Sequence, residues 1–157
     1  MLTINSTIIS GAGAIPAIAP LLAGKTRLLL VTDGNIARLD AARAIRSLLE
    51  ADGRQLSVID SVPPEPTSHD VRALLAETKE TAFDLVVGVG GGSVLDVAKL
   101  LSVLCHPHSP GLDALLAGEK PQVRLPSLLI PASAGTGSEA TPNAILAIPE
   151  QSTKVGI

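Results

Sequence analysis

Short apolar runs alternate along this chain with longer stretches in which apolar residues recur every three or four positions. TRLLLVTD, from Thr26 to Asp33, is a compact apolar block closed by a turn signal, and predicts a buried strand. Ile36, Leu39, Ala42, Ile45, Leu48 and Leu49 then fall at helical spacing, with Gly53 as the stop. QLSVID (Gln55 to Asp60) alternates as a strand, and SVPPEPT (Ser61 to Thr67) is a loop stiffened by Pro63, Pro64 and Pro66. Ser68 stands where it caps a helix carrying Val71, Leu74 and Leu75. FDLVVGVG (Phe83 to Gly90) predicts the next buried strand. The helix after it, with Val94, Leu95, Val97, Ala98, Leu100, Leu101, Val103 and Leu104, is apolar nearly all round and so should be covered on most sides. LPSLLIPAS (Leu125 to Ser133) is a further strand, and TINSTIIS (Thr3 to Ser10) alternates as an edge strand or hairpin.

Strands separated by helices imply an α/β fold: a parallel, Rossmann-like sheet flanked by helices, with right-handed crossovers. The 157 residues suit one domain, spanning 1–157. A domain of that size buries roughly two thirds of its unfolded surface and needs no disulfide or metal to hold a core. Apolar residues make up 46% and aromatics 1% (Phe83), so the core is expected to be aliphatic. A net charge of −3 without a Lys or Arg cluster argues against a nucleic-acid partner. Cys105 stands alone, which fits a reducing cytoplasm. The longest apolar stretch, Ala14 to Gly24, is too short for a membrane span and holds two prolines. The ending STKVGI, with Val155 and Ile157 and no polar tail, reads as an interruption within a longer two-domain protein.

Candidate chemistry concentrates in two turns. GVGGGS (Gly88 to Ser93) joins a strand to a helix. Glycines there let a phosphate approach the backbone, and the first amides of the helix have no internal partner. Ser93 and Asp96 have the spacing of a capping box. The dinucleotide pattern G-x-G-x-x-G needs glycine at 93, and no Gly-Lys-Ser/Thr of a Walker loop follows. A tight turn without a ligand would use the same residues; three adjacent glycines before a buried helix favour phosphate. The second turn, PASAGTGSEATPN (Pro131 to Asn143), sets Ser133, Thr136, Ser138 and Thr141 around Gly135 and Gly137. Thr136 and Glu139 again have capping-box spacing, so a plain helix start competes with a pyrophosphate or ribose site. Asp33 can accept hydrogen bonds from an adenosine ribose and would repel a 2′-phosphate, or it is a turn residue in TDGN. Asp96 and Lys99 are the charges of the central helix: an i,i+3 surface pair, or support for the pyrophosphate loop. The spacing favours a structural, capping role for Asp96 and leaves Lys99 open.

VTDGN, PPEPT, GVGGGSVLDVAK and IPASAGTGSEAT, in this order, resemble the iron-containing (group III) alcohol dehydrogenases from Gly11 onward. The resemblance implies a dehydroquinate synthase-like N-terminal domain that binds NAD, or NADP, and a C-terminal helical domain, absent from this chain, that holds a divalent metal such as iron or zinc. Carried over by position, Asp33 would meet the adenosine ribose and Gly91, Gly92 and Ser93 the pyrophosphate. Ser133 and Thr136 would line the cleft toward the nicotinamide, and Lys154 lies near a lysine that reaches the nicotinamide-side ribose. Two positions depart from the family. Ala132 and Ser133 stand where two threonines are usual, so one hydroxyl is missing, and Glu65 stands where asparagine is common. The family's metal ligands lie beyond Ile157, and no metal is assigned to His69, His106 or His108. No catalytic residue is assigned either. The implied function is an oxidoreductase interconverting an alcohol with an aldehyde or ketone, this chain supplying the cofactor-binding half. A dimer is implied, since the family pairs through N-terminal edge strands. A dehydroquinate synthase-like lyase and a non-catalytic nucleotide-binding module are the alternatives.

Overall fold

The computed structural model describes residues 7–78 and 81–157. Four parallel strands form the central sheet: β1 (Arg27–Val31), β2 (Gln55–Ile59), β3 (Leu85–Gly90) and β4 (Ser127–Pro131), in the order β2-β1-β3-β4. Helices α1 (Asp40–Glu50), α2 (Ser68–Thr78), α3 (Gly92–Leu104) and the short α4 (Leu112–Leu116) connect them, and an eight-residue 3₁₀ helix, Ile15–Leu22, precedes β1. After β4 the chain closes an antiparallel hairpin, β5 (Ile145–Ile148) with β6 (Thr153–Gly156). The reading of Thr3 to Ser10 as a strand falls partly on residues outside those described; Thr7 to Ser10 form no strand.

The continuous apolar strands arise because both faces of the sheet are covered. Leu29, Val31 and Val86 pack with Val71 and Leu74 of α2 and with Val94, Val97, Ala98 and Leu101 of α3. Leu28, Leu30, Leu85, Val87 and Val89 point to the other face, against Ile45 and Leu49 of α1 and Ile18 and Leu22. Every residue from Val94 to Leu104 is buried, as an all-round apolar helix requires.

The structure changes three local expectations. The periodic stretch from Ile36 to Gly53 is not one helix: a 3₁₀ turn, Ile36–Arg38, breaks at Leu39 (ψ 144°) before α1 begins, and α1 stops at Glu50. Asp33 starts the separate turn: its Oδ1 accepts the amides of Asn35 (2.9 Å) and Ile36 (3.0 Å). Second, α2 is capped by Thr67 rather than Ser68. The Thr67 hydroxyl accepts the Asp70 amide at 3.2 Å, and Asp70 Oδ2 accepts the Thr67 amide at 2.8 Å, a reciprocal box one residue earlier than the sequence suggests. Ser68 is buried beneath it. Third, no helix follows β4: Ala132 to Asn143 is a loop with a turn at Ser138–Ala140.

The α2 cap makes a pH-dependent contribution. Hydrogen bonds from the Thr67 side chain and backbone hold the Asp70 carboxyl below its ordinary value. A depressed folded-state pKa adds stability that is full above the unfolded value and is lost as pH falls through the folded one. Asp70→Ala is therefore expected to cost about 1 kcal/mol at neutral pH, and the difference from wild type should shrink below about pH 4. Urea unfolding at neutral pH and at about pH 3 reads both arms.

Candidate functional site

In an open α/β sheet the ligand crevice lies beyond the carboxyl ends of the strands, where the strand order reverses. Here β1 leads outward to β2, and β3 lies on β1's other side, so the reversal falls between β1 and β3. Asp33, the glycine turn and the Ser133 loop lie at the carboxyl ends of β1, β3 and β4.

None of Gly88, Gly90, Gly91 or Gly92 has a positive φ, so these glycines are there for the missing side chain. A Cβ on Gly88 would lie 2.7 Å from Ala98 Cβ, and one on Gly90 2.6 Å from Val94 Cβ, which lets α3 press onto β3. Gly91 is the N-cap of α3, with no side-chain cap, so the first amides of the helix are left for solvent or a ligand. A Cβ on Gly92 would come within 2.9 Å of Thr136 Cγ2, and one on Gly91 within 3.4 Å of Ser133 Oγ. The loops after β3 and β4 thus meet at the helix N-terminus.

The capping box expected of Ser93 and Asp96 does not form, because both side chains have other partners. Ser93 Oγ accepts the amide of Glu65 at 3.3 Å. Asp96 is buried, where its Oδ1 accepts the Ser138 hydroxyl and pairs with Lys99 Nζ at 2.9 Å, and its Oδ2 accepts the Ile145 amide at 3.0 Å. Lys99 is buried as well: Nζ donates to the carbonyls of Ser138 (2.9 Å), Thr141 (3.3 Å) and Asn143. The pair is not on the surface. It is an internal post to which the loop after β4 is tied, and its side chains are 9% and 12% exposed. The second expected box also fails: Thr136 Oγ1 accepts the amide of Ser138 at 3.3 Å, a local turn, and nothing links it to Glu139.

The hairpin supplies the opposite wall. It is pinned by the Ala147 amide on the Pro66 carbonyl (3.1 Å) and by the reciprocal amide–carbonyl pair of Ala144 and Ile157 (2.9 Å each). An open cleft of about 440 Å³ results, lined by Gly92, Ser93 and Thr136 together with Glu65, Ile145, Ala147 and Lys154 among others. Lys154 Nζ donates to Glu65 Oε1 at 2.8 Å. That hydrogen bond first, and the ammonium charge second, hold the Glu65 carboxyl below its usual value. Of the residues singled out in the sequence, Gly92, Ser93, Thr136 and Lys154 line the cleft. Gly91 and Ser133 touch at its rim, and Asp33 stands at the end of β1 outside the lining. Glu65, Asp96, Ser138 and Thr141, also noted in the sequence, line the cleft as well. What the sequence left open was how Asp96 is placed: a charge inside an all-round apolar helix has nowhere to go but inward.

Among the described residues no three His, Cys, Asp or Glu side chains come together as metal ligands. His69 Nε2 pairs with Glu150 Oε1, and His106 Nδ1 accepts the His108 amide at 3.1 Å. No helix among them is long and apolar enough to cross a membrane.

A family model described as iron-containing alcohol dehydrogenase matches residues 5–157. The chain is 35% identical over 143 residues to long-chain-alcohol dehydrogenase 1 of Geobacillus thermodenitrificans, a match covering 88% of this chain and 36% of that protein. It is 30% identical over 152 residues to sulfoacetaldehyde reductase of Bilophila wadsworthia, covering 96% of this chain and 39% of the relative. The crystal structure of an iron-containing alcohol dehydrogenase from Thermotoga maritima superposes with a TM-score of 0.77 at 33% identity, over 89% of this chain and 38% of that one. The chain thus spans little more than a third of the length of these proteins.

Proposed function

Because the chain belongs to the iron-containing alcohol dehydrogenase family, we propose that it is the cofactor-binding part of an oxidoreductase interconverting an alcohol with an aldehyde or ketone. The observation that carries this reading is the meeting of the two loops: Gly92 against Thr136 and Gly91 against Ser133, at the uncapped start of α3 and facing a cleft of about 440 Å³. The cradle fits a dinucleotide. A side chain on Gly92 would press on Thr136 at the uncapped start of α3, where main-chain amides are available to a diphosphate. A bound nicotinamide supplies the hydride acceptor or donor, and the protein's task is to fix its position.

In this assignment the amides of Gly91, Gly92 and Ser93 hold the diphosphate. The exposed hydroxyls of Ser133 and Thr136 orient the part of the cofactor that runs toward the nicotinamide. Lys154 reaches a ribose or phosphate oxygen from the hairpin. Asp33 spends Oδ1 on its own turn; its second oxygen makes no hydrogen bond among the described residues and is free for a ribose hydroxyl, which favours NAD over NADP. The family implies a divalent metal, iron or zinc, to polarise the substrate oxygen. The described residues offer no ligand set for it. A dimer, as the family implies, belongs to the same proposal.

NADH fluorescence titration tests the assignment. NADH is expected to bind, and NADPH more weakly. Gly92→Ala is expected to lower NADH affinity about tenfold, since its Cβ displaces Thr136 and crowds the amides. Unchanged binding in that variant would remove the glycine turn from the site.

A further inference from the structure

Glu65 is unusual in three respects. It is one of three non-glycine residues with a positive φ (51°) among those described, so a backbone conformation that side chains resist is imposed at this position. Its amide is bonded to Ser93 in the first turn of α3, which fixes the residue against the anion seat. Its carboxylate holds Lys154, the one cation lining the cleft among the described residues; the other charged group in the lining, Asp96, is already neutralised by Lys99. A negatively charged ligand entering the cleft therefore meets amide dipoles but no available positive charge.

The pair is not needed to hold the hairpin, which is already fixed to the loop at Pro66 and closed by the Ala144–Ile157 bonds. Both partners are largely exposed, at 74% for the Glu65 side chain and 55% for Lys154, so the contact is loose enough for a ligand to break. Resting on the dinucleotide reading above, we propose that Glu65 is an internal competitor for Lys154: its carboxylate occupies the ammonium, and the ligand's diphosphate must displace it. Glu65 thereby sets the affinity of the site below what its cation and amides would give, and eases release of the bound dinucleotide.

The test is a four-way comparison of wild type, Glu65→Gln, Lys154→Met and the double variant by NADH fluorescence titration. Circular dichroism checks that each is folded. Glu65→Gln is expected to bind NADH about two- to fivefold more tightly than wild type, the range set by an exposed ion pair. Most of that gain should vanish in the Lys154→Met background, because the freed cation is its source. If Glu65→Gln binds NADH as wild type does, or more weakly, the competitor role is overturned while the dinucleotide site stands. The same holds if the gain persists without Lys154, which would make Glu65 a plain source of repulsion. If neither wild type nor Glu65→Gln binds NADH, the dinucleotide reading falls and takes this inference with it.

Discussion

Lys99→Met is expected to lower the unfolding free energy by about 3–5 kcal/mol, the usual cost of stranding one partner of a buried ion pair. Methionine fills the volume but donates nothing. Asp96 would keep its carboxylate inside the protein with the Ser138 hydroxyl and the Ile145 amide as its remaining partners, and the carbonyls of Ser138, Thr141 and Asn143 would lose their donor. The segment from Ala132 to Asn143 has no regular structure, so this loss is concentrated there. Limited proteolysis should cut the variant within that segment while the strands stay intact, and NADH binding should fall with the loop. Asp96→Asn tests the same post from the other side, since it keeps the shape and leaves the Lys99 ammonium with carbonyl partners but no counter-charge. A denaturation midpoint for Lys99→Met equal to wild type would mean that the loop is held some other way.

The second large effect is expected at Gly88→Ala, at about 1–3 kcal/mol. The added methyl would sit 2.7 Å from Ala98 Cβ, with Leu129 and Leu95 at 3.3 and 3.4 Å, and both backbones are pinned by sheet and helix hydrogen bonds. Neither side can yield cheaply, as Ala98 is fully buried. Ala98→Gly removes the clashing methyl at a helix-propensity cost of about 1 kcal/mol. The double variant should therefore be more stable than the sum of the two single changes. Thermal unfolding of the four proteins measures that coupling, and simple additivity would show that β3 and α3 are not pressed together at this point.

These two sites also show where the sequence was transparent. β1 and β3 could be read because a strand covered on both faces needs apolar residues at nearly every position, as RLLLV and LVVGVG show, while β2 was legible from its alternation. The two polar turns stood out separately, and it is the pairing of β3 with β4 that brings them together. The side-chain roles were harder. Serine three residues before aspartate at 93 and 96 imitates a capping box, yet the buried carboxylate is drawn to Lys99 and to an amide 49 positions away. Local spacing carries no information about such a distant partner. Thr136 and Glu139 imitate a box too, but the backbone turns before a helix can start. The hairpin that presents Lys154 left little trace, because β5 and β6 have four residues each and too short an alternation to read. The glycines were legible as a close approach, although two of the four serve helix packing rather than a ligand.

With Gly88 and Gly90 bare, α3 rests on the strand like a rail on its bed, and its first amides are located by contacts at Val94 and Ala98, in its first and second turns. An engineer who wished to retune the affinity of this pocket could therefore leave its rim untouched. Exchanging small residues along the buried flank would slide the helix by fractions of an ångström and carry its uncapped end with it.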